Sequence, residues 1–171
     1  LQAADMLHPQ LPQFEGKGTP VLVPVGIDQD PHRRLARDMS KRIKEASFIP
    51  LSSTYHLFMP GLGGGKMSAS DPTSFIALTD TPKEAARKIN KYAFSGGQAT
   101  VEEHRERGGD PDIDVSFQYL KYWFEPDDEK LQQLYDEYKS GKLLTGELKK
   151  YLIEKMGAFL EEHHKRREAA K

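Results

Sequence analysis

An uncharged, valine-rich segment at residues 20–27 limits the folds open to this chain. Its sequence, Pro-Val-Leu-Val-Pro-Val-Gly-Ile, is typical of a strand covered on both faces in a parallel sheet, although Pro24 cannot donate a ladder hydrogen bond. A helix is predicted next, with Asp30 as its N-cap and Pro31 in its first turn. Its apolar stripe is formed by Leu35, Met39, Ile43 and Ala46. The order strand, turn, helix predicts an α/β arrangement.

The rest of the chain divides into a loop and a helical half. An apolar segment, residues 48–59, ends in a glycine-rich stretch at 60–65 that predicts a mobile loop, because glycine holds no single backbone conformation. Helix starts are then indicated by Thr81 with Glu84, Thr100 with Glu103, Asp114, Asp127 or Asp128, and Thr145. The last helix carries the clearest stripe, formed by Leu148, Leu152, Met156, Phe159, Leu160 and His163. We therefore predict two domains, 1–77 and 78–171.

The composition of the 171 residues excludes several classes of protein. The 25 basic and 26 acidic side chains give a net charge of −1, so no bulk positive field attracts nucleic acid. The absence of cysteine excludes a disulfide framework and a thiolate nucleophile, and no zinc is expected. Residues 46–65 lack charged side chains, but their prolines, hydroxyls and glycines argue against a membrane span. The start at Leu1, without a signal-peptide pattern, predicts a chain that begins inside a longer gene product.

The turn after the predicted strand, residues 26–31 (Gly-Ile-Asp-Gln-Asp-Pro), is the first candidate ligand site. Ligands of open parallel sheets collect at the carboxyl ends of strands, where the next helix presents free N–H groups. Gly26 allows a ligand to approach the backbone closely. The Asp28 carboxylate can accept hydrogen bonds from both hydroxyls of a ribose, and the Gln29 amide can both donate and accept hydrogen bonds. The alternative is that Asp28 and Asp30 only cap the helix.

The second candidate is residues 63–71, Gly-Gly-Gly-Lys-Met-Ser-Ala-Ser-Asp. A lysine behind glycines, followed by two serines, can surround an anion such as a phosphate chain with one cation and several donors. The segment is not a P-loop, because Pro60 stands where the first glycine should be and Met67, which has no hydroxyl, follows Lys66. The alternative is a flexible solvated loop.

Three further features each have a structural explanation beside a functional one. Six basic residues fit either phosphate binding or the solvated face of one helix: Arg33, Arg34, Arg37, Lys41, Arg42 and Lys44. Asp38 and Glu45 reduce the charge of this cluster to +4. His56 is expected to pack inside the protein, without a metal. Trp123 is expected in the helical core, with RNA stacking as its alternative.

Six ordered segments together resemble the tryptophanyl-tRNA synthetases of the archaeal and eukaryotic branch, a group of class I aminoacyl-tRNA synthetases. The segments are residues 26–31, 66–72, 91–97, 100–105, 112–117 and 144–150. The resemblance implies the second half of a Rossmann-like class I catalytic domain in 1–77, followed by an all-α helical anticodon-binding domain in 78–171. The tyrosyl enzymes are an alternative that residues 66–71 and 95–105 disfavour.

The resemblance also implies an activity and its residues. ATP, with Mg²⁺, would activate L-tryptophan to tryptophanyl-adenylate, and the tryptophanyl group would pass to tRNA(Trp) in the cytoplasm. Lys66 and Ser68 are implied as catalytic residues, with Lys66 stabilising charge on the β- and γ-phosphates. The implied ATP-binding residues are Gly26, Asp28, Lys66, Met67 and Ser68, and the implied tryptophan-binding residues are Gln2 and Gln29. A homodimer is implied for the full-length enzyme, without a membrane partner.

Two departures from the class I pattern refine this interpretation. Ala69 replaces the second lysine of the usual class I loop, as it does in the archaeal and eukaryotic tryptophanyl enzymes. None of the six histidines lies in the His-x-Gly-His type motif that class I enzymes need early in the fold. We therefore expect the chain to be the C-terminal part of a synthetase and, alone, not to activate tryptophan. A helical RNA-binding module without its own catalysis is the other hypothesis.

Overall fold

A computed structural model describes residues 1–16 and 18–171 and divides the chain into two compact units, Leu1–Phe58 and Met59–Lys171. The first unit contains α1 (Gln2–Leu7), β1 (Leu22–Gly26), α2 (Asp30–Arg42) and β2 (Ser52–His56). The second unit contains α3 (Pro82–Tyr92), α4 (Val101–Arg107), α5 (Val115–Tyr119), α6 (Asp128–Lys139) and α7 (Thr145–Ala169). The predicted change from α/β to helical structure is confirmed. No helix within the described residues combines the length and apolarity that crossing a bilayer requires.

The two strands of the first unit form a parallel pair, as the valine-rich segment predicted. Val25 pairs with Tyr55, and Gly26 pairs with His56. The prediction that both faces of the strand are covered is wrong, because Leu22 is 60% exposed. The core of this unit consists of Ala3, Met6, Leu7, Ala36 and Leu51, with Val21, Val23, Met39 and Phe48 packed against it. Val23 but not Leu22 contacts this core, since successive side chains of a strand point to opposite faces.

The helix α2 begins within one residue of the predicted start, and its buried stripe agrees with the predicted one only in part, because Met39 packs against the core. Ala36 and Ser40 are buried, whereas Leu35 is 51% exposed. One residue corresponds to about 100° around a helix, so Leu35, one position before the buried Ala36, points to the solvent side. Ala36, which the predicted stripe leaves out, lies in the core with α1. The helix also ends at Arg42, earlier than the predicted end near Ala46.

Four of the five helices of the second unit start at the predicted caps, whereas α7 begins at Thr145 itself, with Leu144 in the N-cap position. The Thr81 hydroxyl accepts from the Glu84 N–H at 3.2 Å, and the Glu84 carboxylate accepts from the Thr81 N–H at 2.8 Å, which completes the predicted capping box. Thr100 and Asp127 cap α4 and α6 through their side-chain oxygens. Gly108 ends α4 with φ at 72°, in the left-handed region that glycine adopts readily.

The core of the second unit confirms most of the predicted stripe of α7. Leu148, Leu152, Met156 and Leu160 are buried, whereas Phe159 stays about half exposed. Leu62 is buried in the same core, so residues 59–77 are compact with the helices and the first unit ends at Phe58. The functional division at 77/78 stays a prediction, since compactness does not assign a role to either side.

Two predicted core residues lie at the surface. Trp123 is 70% exposed, and His56 is exposed as well. Trp123 belongs to a π-helical turn, Leu120–Phe124, that follows α5 directly. A π-helical turn contains more residues than an α-helical one, so a burial pattern with a period of 3.6 residues fails beyond its start. Leu120 is buried, Tyr122 and Trp123 are exposed, and Phe124 packs against the core again.

The carboxylate of Asp114 is fully buried and accepts four hydrogen bonds. The donors are the N–H groups of Gly96 at 2.9 Å, Ser116 at 2.8 Å and Phe117 at 3.2 Å, and the hydroxyl of Tyr138 at 2.8 Å. The sequence predicted the cap on α5 but not the other donors. One charge therefore connects the loop after α3, the start of α5 and the end of α6.

Replacing Asp114 with alanine should lower the free energy of unfolding by about 3 kcal/mol, because several buried donors lose their acceptor. Urea unfolding followed by circular dichroism measures the loss. Glu106→Ala, at an exposed position of α4, should change the free energy by less than about 0.5 kcal/mol. Equal stability of the Asp114→Ala chain and the unchanged chain would contradict the stabilising role of the Asp114 hydrogen bonds.

Candidate functional site

The first candidate turn lies at the carboxyl end of β1, where Ile27–Gln29 form one 3₁₀ turn before α2. A Cβ atom at position 26 would lie 2.8 Å from the Asp28 Oδ1 and 3.4 Å from the His56 Cε1, so only glycine leaves this space open. The Asp28 side chain is exposed, and the N-cap position of α2 is Gln29, which makes no side-chain cap hydrogen bond. Capping therefore does not explain the presence of Asp28.

The two glutamines predicted to face the amino acid lie in contact. The Gln2 Nε2 donates to the Gln29 Oε1 at 2.6 Å, although the residues are 27 positions apart. Gln2 opens α1 and Gln29 precedes α2, so the contact joins the starts of two helices of the same unit. Each amide keeps one further group, the Gln2 oxygen and the Gln29 nitrogen, that can bind a small polar molecule.

A cluster that the sequence did not reveal fixes the residue after this turn. The Asp30 Oδ1 accepts from the Arg33 Nε at 3.0 Å and from the Tyr55 hydroxyl, and its Oδ2 accepts from the Arg34 Nε at 2.5 Å. The guanidinium of Arg33 also lies 5.4 Å from the centre of the Tyr55 ring. The hydrogen bonds from Tyr55 and Arg33 hold the pKa of Asp30 far below its usual range.

Asp30 therefore connects α2 to β2. The prediction that Asp30 is the N-cap of α2 is wrong, because Gln29 occupies that position. The spacing of Asp30 with Arg33 and Arg34, three and four positions, is a signal that the sequence offered. Tyr55 carried no such signal, because its proximity depends on the register of the two strands.

The loop that carries Lys66 is shaped by its own backbone hydrogen bonds. The Gly61 N–H donates to the Gly65 carbonyl at 2.7 Å, and the Gly64 N–H donates to the Gly61 carbonyl at 2.8 Å. Gly64 has φ at 83°, which side chains other than hydrogen rarely permit. Lys66 is exposed, and no ion pair of the described residues includes it. The predicted mobility of this loop stays a prediction.

Ser74, which the sequence analysis did not single out, holds the backbone of Ser68. Its buried hydroxyl accepts from the Ser68 N–H at 3.0 Å and lies 2.8 Å from the Asp71 carbonyl, to which it can donate. The Thr73 hydroxyl and N–H bind the Asp71 carboxylate at 2.7 and 2.9 Å and lower its pKa. The contact lies in a loop, where no helical or strand periodicity applies, so sequence patterns could not show it.

The predicted site residues fall in both compact units. The first unit places Gly26 beside Asp28 and Gln2 beside Gln29, and the second unit contains Lys66, Met67 and Ser68. The binding and catalytic roles of all seven residues stay predictions. Over residues 1–16 and 18–171, no three side chains among His, Asp and Glu are grouped so that they could hold a metal.

The helical unit also has a cavity of about 380 Å³ beside the starts of α4 and α7. Its lining includes Gln98, Thr100, His104, Thr145 and Glu147. His104 is buried, and its Nε2 lies 2.9 Å from the Leu143 carbonyl. The cavity therefore combines a fixed imidazole with hydroxyl and amide groups that can form hydrogen bonds.

Comparison with known proteins indicates one family. The sequence profile described as "tRNA synthetases class I (W and Y)" matches residues 1–161. The chain is similar to the tryptophan–tRNA ligase of Sulfolobus acidocaldarius, with 53% identity over 152 residues, 88% of this chain and 39% of that protein. The ligase of Methanocaldococcus jannaschii is 48% identical over 172 residues, 100% of this chain and 46% of that protein.

Solved structures agree with the sequence relatives. The tryptophanyl-tRNA synthetase of Aeropyrum pernix K1 superposes with a TM-score of 0.94 at 45% identity, covering 99% of this chain and 46% of that chain. The tyrosyl-tRNA synthetase of Archaeoglobus fulgidus gives 0.69 at 26% identity, covering 96% of this chain and 49% of that one. The chain thus spans less than half the length of these relatives. By its fold and its sequence, the chain belongs to the class I tRNA synthetases of the tryptophanyl and tyrosyl family, and it is most similar to the tryptophanyl members among these relatives.

Proposed function

We propose that this chain supplies part of the active site and the helical domain of a tryptophan–tRNA ligase. The observation that carries the proposal is the 48 to 53% identity to archaeal tryptophan–tRNA ligases over 88 to 100% of the chain. The tyrosyl-tRNA synthetase structure is only 26% identical in sequence to this chain, which favours tryptophan over tyrosine as the amino-acid substrate. The yeast and human relatives are named cytoplasmic, and we propose the same location.

The turn at residues 26–29 supports a role in binding the ribose of ATP and the amino acid. An exposed carboxylate such as Asp28 accepts hydrogen bonds from two adjacent hydroxyls, and Gly26 leaves room beside it. The joined amides of Gln2 and Gln29 can donate to a carboxylate and accept from an ammonium group without adding net charge. A zwitterionic amino acid presents these two groups.

The loop at residues 63–71 supports a role in the transition state. When the carboxylate of tryptophan attacks the α-phosphorus, an acyl–phosphate bond forms, the bond to pyrophosphate breaks, and negative charge moves onto the leaving phosphates. The ammonium of Lys66 would stabilise this charge without transferring a proton. The Ser68 N–H is a further donor, and its hydrogen bond to Ser74 must yield before it binds a phosphate.

Magnesium would accompany ATP in this reaction. Mg²⁺ at nucleotide sites is usually held by the substrate phosphates with one or two carboxylates, so a cluster of three protein ligands is not required. When bound, it would neutralise part of the phosphate charge. Asp28 contacts the ribose in this proposal, so the substrate phosphates would hold most of the ion.

The helical unit would bind the anticodon of tRNA(Trp), and the full-length enzyme would be a homodimer. Both proposals rest on the resemblance. The cavity lined by Gln98, Thr100 and His104 offers polar groups that suit an unstacked base. The alternative, an RNA-binding module without catalysis, explains neither the exposed Asp28 nor the loop that carries Lys66.

The substrate can be tested with a chimaera. These 171 residues should replace the matching region of the Methanocaldococcus jannaschii ligase and support tryptophan-dependent pyrophosphate exchange. Tyrosine should be activated at least about a hundredfold less efficiently, because a site built for one polar pattern rejects another strongly. The 171-residue chain alone should show no exchange. Equal use of tyrosine, or exchange by the chain alone, would overturn the proposal.

The role of Lys66 can be tested in the same chimaera. Lys66→Ala should lower the rate of adenylate formation by about 10²- to 10³-fold, because the lost contact is made chiefly in the transition state. The dissociation constant for tryptophan, measured by equilibrium dialysis, should change by less than about twofold. Lys83→Ala, outside the loop, is the control and should leave both quantities unchanged. A similar loss of rate and of tryptophan binding by Lys66→Ala would argue against the role.

A further inference from the structure

The basic residues of the first unit are concentrated on one helix. The segment Leu1–Phe58 has seven Lys and Arg residues, and six of them lie within residues 33–44, five on α2 and Lys44 just after its end. Asp38 is the one acidic residue inside that stretch. The chain as a whole is nearly neutral, so this local excess of positive charge on α2 stands out from its surroundings.

Three of these residues, Arg34, Arg37 and Lys41, form what we call the basic face. They are exposed and line a groove of about 530 Å³ together with Asp38 and Pro50. Arg34 forms an ion pair with Asp30, which also pairs with Arg33. Among the described residues, no ion pair involves Arg37 or Lys41.

The positions of Arg37 and Lys41 favour an anionic ligand. Residues four apart are neighbours on one side of a helix, and like charges there repel each other. An anion bound across both cations would remove that repulsion. Their spacing along the helix, about 6 Å, suits successive charges of an extended polyanion better than one small ion.

The helix that carries the groove starts directly after the turn proposed to bind the substrates. The helix α2 starts at Asp30, directly after Gln29, so Arg37 lies about 10 Å and Lys41 about 16 Å along the helix from its start. In the proposed reaction, the terminal nucleotide of the tRNA must reach that turn. The preceding phosphates of the same strand would then lie within reach of α2.

We propose that the basic face binds backbone phosphates of the tRNA near its 3′ end. The inference rests on the proposed function, because that function brings the RNA strand to this turn. Arg37 and Lys41 would make the phosphate contacts, and Arg34 would stay paired with Asp30. Phosphate contacts position the strand without reading its sequence.

The test uses the 171-residue chain and a fluorescent minihelix that contains the acceptor stem of tRNA(Trp) and its CCA end. Fluorescence anisotropy gives the binding constant between 50 and 200 mM KCl. In the double variant Arg37→Gln, Lys41→Gln, the slope of log K against log[KCl] should become less steep by about 1.5, since two contacts are lost. Affinity at 100 mM KCl should fall by about tenfold.

Lys83→Gln, Arg87→Gln is the matched control, because this exposed pair has the same spacing on α3. It should bind the minihelix within about twofold of the unchanged chain. Equal slopes for all three proteins, equal loss in the control, or no binding by the unchanged chain at 50 mM KCl would overturn the inference. Preference of the basic face for a polyglutamate peptide over the minihelix would also overturn it, in favour of an acidic protein partner.

The chimaera separates this inference from the proposed function. Tryptophan-dependent pyrophosphate exchange needs no tRNA, so Arg37→Gln, Lys41→Gln should leave it unchanged while raising the KM for tRNA by about tenfold. An unchanged KM for tRNA together with normal pyrophosphate exchange would refute only the proposal that the basic face binds tRNA. Absence of tryptophan-dependent exchange in the unsubstituted chimaera would refute the proposed function.

Discussion

The buried carboxylate of Asp114 sets the arrangement of the helical unit. A charge removed from water is tolerated only when its lone pairs accept hydrogen bonds, and Asp114 accepts them from three N–H groups and the hydroxyl of Tyr138. The donors come from three separate segments of the chain. The hydrogen bonds therefore connect the loop after α3 with α5 and α6, in addition to capping α5.

The same region supports the loop that carries Lys66. The Phe94 N–H donates to the Leu62 carbonyl at 2.7 Å, and the Leu62 N–H donates to the Ser74 carbonyl at 2.8 Å. Ser74 then holds the backbone of Ser68 through its hydroxyl. The ends of the loop are thus attached to the helical core, while Lys66 between them is exposed. Lys66 is therefore presented from a loop whose ends are held by hydrogen bonds.

Sequence patterns predicted the features that depend on neighbours in the chain. The capping box at Thr81, the cap at Asp127 and the stripe of α7 each follow from spacings of three or four residues. The exposure of Trp123 and the burial of Ala36 could not be predicted in this way, because a π-helical turn and the docking of one helix on another decide them. In the candidate site, residue types alone predict a role for the turn and for the loop, and that role stays a prediction. The Tyr55 and Ser74 contacts depend on tertiary structure.

The central claim is that the turn at residues 26–29 binds an aminoacyl-adenylate. A crystal structure of the chimaera with a non-hydrolysable tryptophanyl-adenylate analogue tests it most directly. If the turn binds the adenylate, both ribose hydroxyls will lie within about 3.2 Å of the Asp28 carboxylate, and the Gln29 amide will lie within the same distance of a polar atom of the amino acid. An analogue bound without contact to Asp28 and Gln29 would contradict the account.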